Sequence, residues 1–291
     1  MVQPQQPKRS RPPSLAPLRP RPMLFTLFGD YVYPEGGDIG LRSLVAIGAA
    51  LGMSEVAVRS AVARLAREQW IVARRNGQRS YYRLSPRGRA LIKEGTQRIY
   101  HADGRAWSGE WCLLSYSVPE SKRSLRDRMR KQLAWLGFGP LGSGTYVAAR
   151  DASADLRRLA ERLGAGNFAK TFLARSAGST SDEQIVRQCW DLARIGQAYE
   201  RFVRRYAPLY RRDRQRKRRH KLTDADAFIV RFALTHDFRR FPFIDPDLPR
   251  RLLPQNWAGA RARKLFDDYH AMLTEGALRF FAASSASSSS G

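Results

Sequence analysis

Cysteine is scarce in this chain, with Cys112 and Cys189 the only two in 291 residues. They form no CxxC pair and no framework of bridges, which excludes a disulfide scaffold and fits buried thiols in a reducing cytoplasm. Histidine is nearly as sparse: His101, His220, His236 and His270 are scattered without metal-ligand spacing. No run of about 18 apolar residues occurs, so no membrane-spanning helix is expected, and the N-terminus lacks the apolar core of a signal peptide. Also absent are G-x-S-x-G, H-E-x-x-H, the phosphate-binding P-loop and G-x-G-x-x-G. The glycines at 137, 139, 142 and 144 cluster, but without the Lys and Ser/Thr of a phosphate loop. Asp267 and Asp268 sit in an amphipathic helix and read as a solvated face. No constellation for catalysis emerges, and neither an enzyme nor a cofactor is expected. The most informative shortage is negative charge: 26 acidic residues face 52 basic ones, for a net +26. Such an excess implies a polyanionic partner, nucleic acid or an anionic membrane surface.

What the chain does contain is organised around residues 51 to 84. Leu51-Gly52-Met53 reads as a tight turn, and Ser54 as the N-cap of a following helix. Val58, Ala61, Val62 and Leu65 recur at i, i+3, i+4 and i+7, which makes one helix face apolar. Glu55, Arg59, Ser60 and Arg64 fall on the flanks and far side. Two strand-like runs follow, Trp70 to Arg75 and Arg79 to Leu84. Asn76-Gly77 between them is a strong hairpin signal. With Leu41 to Ala50 as a preceding helix, this is the layout of a winged helix-turn-helix. Arg59, Ser60 and Arg64 would read the major groove, with Glu55 beside them and Ser54 fixing the helix start. Arg74, Arg75, Asn76, Gln78 and Arg79 would hold the wing on the backbone. The alternative is an ordinary amphipathic helix and hairpin with solvated arginines.

Elsewhere, residues 1 to 22 are rich in Pro and Arg and read as a disordered arm. Residues 23 to 29 predict a short helix ending at Gly29. Ser85-Pro86 caps another, running toward Tyr100. From 106 to 175 the pattern changes to β-α-β-β-α-β, which is ferredoxin-like: strands at Trp111–Val118, around Phe138–Leu141, at Thr145–Ala149 and at Ala169–Ala174. Its helices are one capped by Ser121, carrying Leu125, Met129, Leu133 and Leu136, and one over Ala154–Leu163. A single long helix is predicted over 182 to 210. It is followed by the basic run Arg211 to Lys221, either a charged, solvated linker, a second DNA-phosphate contact or a grip on an anionic effector. Two further helices, from Thr223-Asp224 and over residues 256 to 273, lead to a low-complexity tail at 281 to 291. Between them Arg239, Arg240, Trp257 and Arg261 mix guanidinium groups with aromatic surface (Phe238 and Phe241 lie close by), the ingredients of a small-molecule site or simply of a core.

Several segments resemble the PaaX family of bacterial repressors of phenylacetic acid degradation. The resemblance runs through GDYVYPEGGDIGLRSLVAIGAALGMSEVAVRSAVARLAREQW and NGQRSYYRLSPRGRALI. It resumes at AWSGEW, LAWLGFGPL and DPDLPRRLLPQNWAGARARKLF, over roughly residues 24 to 275. It implies a cytoplasmic, nucleoid-associated bacterial repressor that binds double-stranded operator DNA as a homodimer, without a membrane. It also implies release by an aryl-acyl-CoA such as phenylacetyl-CoA, whose phosphates Arg239, Arg240 and Arg261 could clamp while Trp257 stacks. The expected fold is α+β. A winged helix-turn-helix spans 23–104, a central ferredoxin-like α/β domain 105–178, and a mainly helical effector and dimerisation domain 179–280. Two rivals stand beside this. One is a ferredoxin-like metal-dependent nuclease fused to a DNA-binding domain, against which Ser115-Tyr116-Ser117-Val118 offers no carboxylate at the first strand's end. The other is a general DNA-binding protein without effector.

Overall fold

The computed structural model describes residues 19–100 and 107–286. Most of the expected N-terminal arm (1–18), residues 101–106 and the last residues of the expected tail (287–291) lie outside the described residues. The fold mixes helices with two small antiparallel sheets, as an α+β chain should. No described helix is long and apolar enough to cross a membrane. The chain divides into two compact units: residues to 96 with 205–238 and 264 onward, and residues 97–204 with 239–263.

In the first unit, α1 (Pro20–Leu27) begins three residues inside the segment expected to be a disordered arm. Proline at the first helical position loses no hydrogen bond and presets φ, so the arginine-proline composition does not prevent a start there. The helix does not stop at Gly29 either. It widens into a π turn over Phe28–Val32, because Phe28 and Tyr31 are fully buried and that burial outweighs the roughly 1 kcal/mol helix penalty of glycine. The turn also brings Asp30 to within 3.6 Å of the buried Arg231, whose guanidinium lies 4.8 Å from the Tyr31 ring centre.

Next come β1 (Ile39–Gly40), α2 (Leu41–Ala50), α3 (Glu55–Arg67), β2 (Ile71–Asn76) and β3 (Arg79–Leu84). Ser54 caps α3 as expected, its Oγ accepting from the Ala57 amide at 3.3 Å. The strands order β1-β3-β2, all antiparallel, with Ala73 opposite Tyr82 and Asn76 opposite Arg79. That register corrects the expected turn. Asn76 belongs to the last pair, so the two loop residues are Gly77 and Gln78. Of these only Gly77 has positive φ, +59°, which is the requirement of a Gly-X rather than an Asn-Gly loop. Then α4 (Pro86–Tyr100) starts on Ser85, whose Oγ accepts from the Gly88 amide at 3.0 Å.

The core of this unit gathers Leu24, Leu27, Ile47, Val58, Val62 and Leu65 with Phe228, Phe232, Ala277 and Phe281. The last four come from α9 (Asp224–Phe238) and α10 (Ala258–Ala286). The expected tail at 281–291 is therefore helical as far as Ala286. Phe281 packs on Tyr31 at 5.3 Å, and the Ser285 carbonyl accepts from Ser43 Oγ at 3.4 Å.

In the second unit, β4 (Trp111–Tyr116), α5 (Arg123–Trp135), β5 (Gly139–Gly142), β6 (Thr145–Ala148), α6 (Ser153–Leu163) and β7 (Ala169–Ala174) follow the expected element order. The sheet is antiparallel throughout, in the order β5-β6-β4-β7. Side-chain alternation along β4 supplies both faces. Cys112 and Leu114 pack under α5 and α6 with Leu125, Met129, Leu133 and Leu156. Trp111 meets Val147, Ile185, Val186 and Cys189 on the other side. Ser121 does not cap α5: it sits in a 3-10 turn and Lys122 holds the cap position. Both cysteines are buried and free, and burial pushes the Cys189 thiol up to about 11.

The long helix expected over 182 to 210 is two. α7 (Asp182–Cys189) ends at an extended Trp190, and α8 (Leu192–Arg218) begins where Asp191 Oδ1 accepts from the Arg194 amide at 2.9 Å. An aspartate one residue past an extended position is a start signal that the apolar periodicity hides. The basic run, read as a linker or solvated segment, is helical to Arg218. Within it Asp213 is fully buried. It accepts from Tyr269 at 2.6 Å and pairs with Arg212 at 2.9 Å and Arg216 at 3.4 Å.

Candidate functional site

The apolar side of α3 is consumed by the core, since Val58, Ala61, Val62 and Leu65 are all buried. Its opposite side carries Glu55, Val56, Arg59, Ser60, Ala63, Arg64 and Arg67, all exposed. Two arginines there are held in place by helix-spaced carboxylates. Arg59 Nε donates to Glu55 at 2.6 Å and Arg64 Nε to Glu68 at 3.0 Å. The Arg64 hydrogen bond keeps the Glu68 carboxyl below the usual carboxylate range. Exposed pairs of this kind add little to stability, but they limit where the guanidinium groups can point. On the hairpin, Arg74 Nε donates to Asp38 at 2.7 Å, and its guanidinium lies 5.7 Å from the Tyr81 ring. Arg75 and Gln78 are exposed at the hairpin end.

Between the helices and the hairpin lies a concavity of about 660 Å³. Gly40, Leu41, Arg42, Arg59 and residues 76 to 81 line it. The structure thus brings Arg59, Asn76, Gln78 and Arg79 to one place, and no acidic residue is among the lining. Ser54, Glu55, Ser60, Arg64, Arg74 and Arg75 lie outside it. Arg42 was missed by the sequence reading. The available signal was its place at the second position of α2, the first helix of the motif, where a basic side chain reaches the same surface as α3.

The second unit holds another concavity, of about 360 Å³. Aromatic rings wall it: Tyr199 and Phe241 stack at 3.9 Å, and Trp257 meets Tyr199 edge-on at 5.8 Å. The Trp257 indole is wedged beside Gly259, where an added Cβ would collide with the ring nitrogen. The Tyr199 hydroxyl donates to Asp245 at 2.6 Å, and burial together with that carboxylate pushes the phenol well above its usual range. Arg98, Arg250 and Arg263 line the cavity with Asp245 and Asp247. Arg98 stacks over Trp135 at 4.3 Å, and Arg263 donates to the Ile99 carbonyl.

Of the four residues expected to bind an effector, Trp257 lines this cavity. Arg239, Arg240 and Arg261 do not. Arg239 is half-buried, Arg240 is exposed, and Arg261 is exposed and paired with Glu200. The cavity draws its arginines from elsewhere. Arg98 comes from α4, 159 residues before Trp257 in the chain, a proximity that no local pattern encodes.

Three family models match consecutive stretches. They are a PaaX-like protein model over residues 19–88, a PaaX protein central Cas2-like domain over 104–186, and a PaaX-like protein C-terminal domain over 190–283. The transcriptional repressor PaaX of Escherichia coli is 34% identical over 261 residues, covering 89% of this chain and 81% of that protein. The chain belongs to the PaaX family. The first cavity's lining lies within the residues matched by the PaaX-like protein model, and the second's, apart from Arg98, within those matched by the C-terminal domain model. Among solved structures, an uncharacterised protein of Mycobacterium tuberculosis shares the fold. Its TM-score is 0.58 at 22% identity, over 89% of this chain and 97% of that one.

Proposed function

We propose that this protein is a DNA-binding transcriptional repressor of winged helix-turn-helix type. In this reading α3 enters the major groove, the β2–β3 hairpin is the wing, the β4–β7 domain is a ferredoxin-like scaffold, and the helical C-terminal domain serves effector binding and dimerisation. The observation that carries it is the acid-free concavity where Arg42, Arg59 and Arg79 converge beside the exposed face of α3. Guanidinium groups around one acid-free hollow suit duplex DNA, whose phosphates and base edges both accept hydrogen bonds from arginine. The net +26 supports a polyanionic partner, and the E. coli relative is a transcriptional repressor.

The regulated genes, on the family resemblance, are those of phenylacetate-type aromatic catabolism in a bacterial cytoplasm. The effector is an aryl-acyl-CoA such as phenylacetyl-CoA. The aromatic, arginine-lined cavity around Trp257 supports a ligand that combines a flat apolar group with negative charge. The homodimer would place two α3 helices on a two-fold operator. A metal-dependent nuclease is less well supported, because β4 ends at Tyr116 without a carboxylate.

The test starts from a DNA duplex enriched from random sequence by the full-length protein, titrated with phenylacetyl-CoA and, separately, with phenylacetate. The thioester is expected to weaken DNA binding at least tenfold, which needs a difference of about 1.4 kcal/mol between the two protein states. Phenylacetate, lacking the phosphates, is expected to do nothing. If no aryl or acyl thioester moves the affinity, the effector assignment fails. If no duplex is enriched over random DNA, the repressor reading fails.

A further inference from the structure

Val56 is the most exposed large hydrophobic residue described, at 77% of its full accessible surface. It occupies the second position of α3, on the face that also shows Arg59, Ser60 and Ala63. It is not part of the core packed beneath α3. A β-branched side chain is a poorer helix former than alanine, and an exposed isopropyl group adds no burial to the core. Its neighbours are polar or charged: Ser54 is engaged in capping, and Glu55 is engaged by Arg59 at 2.6 Å. That pair fixes two charged groups on one side of Val56 and leaves its methyls facing outward.

From this position we infer that Val56 is a specificity-determining residue that reads the 5-methyl group of a thymine in the major groove. The inference rests on the proposed placement of α3 in DNA. The chemistry is selective, because the thymine methyl is the one apolar group that the base edges present in the major groove, and small aliphatic side chains are its usual partner. Phosphate contacts cannot use an isopropyl group, and a purely electrostatic, sequence-independent binder has no use for one on this face. Arg59, one helical turn further on, would then read a base adjacent to that thymine while Arg42 and Arg79 hold the backbone.

The experiment replaces thymine by deoxyuridine, one position at a time, in a duplex enriched by the full-length protein. Deoxyuridine pairs identically and lacks only the methyl. The wild type is expected to lose about fourfold in affinity at one thymine or its symmetry mate, the size expected for one methyl removed from water. Val56→Ala should bind the thymine duplex more weakly and no longer distinguish thymine from uracil at that position. Its fold should be intact, since the site is exposed and alanine favours helix; circular dichroism and equal affinity for random DNA check this. If no deoxyuridine substitution affects the wild type, or if Val56→Ala keeps the same fourfold loss, the assignment is overturned while the repressor reading stands. Failure to enrich any duplex would instead sink the repressor reading and this inference with it.

Discussion

Two arginines on the same concavity are expected to act differently. Arg42, at the start of α2, faces the hollow beside the hairpin, whereas Arg59 sits on the exposed face of α3 with its Nε held by Glu55. A phosphate contact contributes to all DNA alike and depends on counterion release. Arg42→Ala should therefore weaken binding to enriched and random duplexes equally, and flatten the slope of log K against log salt by about 0.9. A guanidinium aimed at a base edge discriminates instead. Arg59→Ala should cost about 1–3 kcal/mol on the enriched duplex and far less on random DNA. Equal losses for Arg59 would make it a second backbone contact. At this scale the exposed face of α3 was largely legible, because residues pointing away from its apolar stripe must be exposed. The arginines of the second cavity were not. Arg239, Arg240 and Arg261 lie in the same stretch of sequence as Arg250 and Arg263, but only the latter two reach the cavity, where Arg98 joins them from far away in the chain.

The elements show where periodicity suffices and where it misleads. α3 and the hairpin appear where apolar spacing, Ser54 and the Asn-Gly-Gln turn put them, although the loop proved to be Gly77-Gln78. α8 differs. Its apolar pattern runs across Trp190, yet the helix restarts at Asp191, and its basic end stays helical where charge repulsion alone favours a solvated chain. The cause is one acid. Asp213 is fully buried and accepts from Tyr269 while pairing with Arg212 and Arg216, and Arg216 also reaches Asp226 at 2.6 Å. Removing it leaves a buried phenol without its acceptor, takes the paired carboxylate from Arg212 and leaves Arg216 with Asp226 alone. Asp213→Ala should lower stability by about 3 kcal/mol in chemical denaturation, and Asp213→Asn by less, since the amide still accepts from Tyr269. A loss below about 1 kcal/mol for the alanine variant would show that the basic turn holds without this acid.

For the molecule as a whole, the first unit's core depends on helices far along the chain, and one of them brings in a half-buried histidine. Burial, helped by the positive charge of Arg231, pushes the His270 imidazole from 6.5 down to about 3. The sign follows directly. The unfolded chain takes up a proton as pH falls through about 6.5, while the native state does not until about 3. The stability present above 6.5 is therefore lost progressively across that window, by up to about 1.4 kcal/mol per pH unit. His270→Leu should flatten the fall in unfolding free energy between pH 6.5 and 4.5. An unchanged slope would place the proton uptake on other groups.

The sequence alone determined the basic excess, the helix-turn-helix-hairpin order of residues 41 to 84 and the β-α-β-β-α-β order, because charge balance, helical and strand periods and turn residues are local properties. Tertiary structure decided what distant residues share. Phe228, Phe232 and Phe281 complete the core beneath α3, Asp30 meets Arg231, and Arg98 joins Trp257 at one cavity. Those meetings are set by which apolar faces bury one another, and burial is indifferent to separation along the chain.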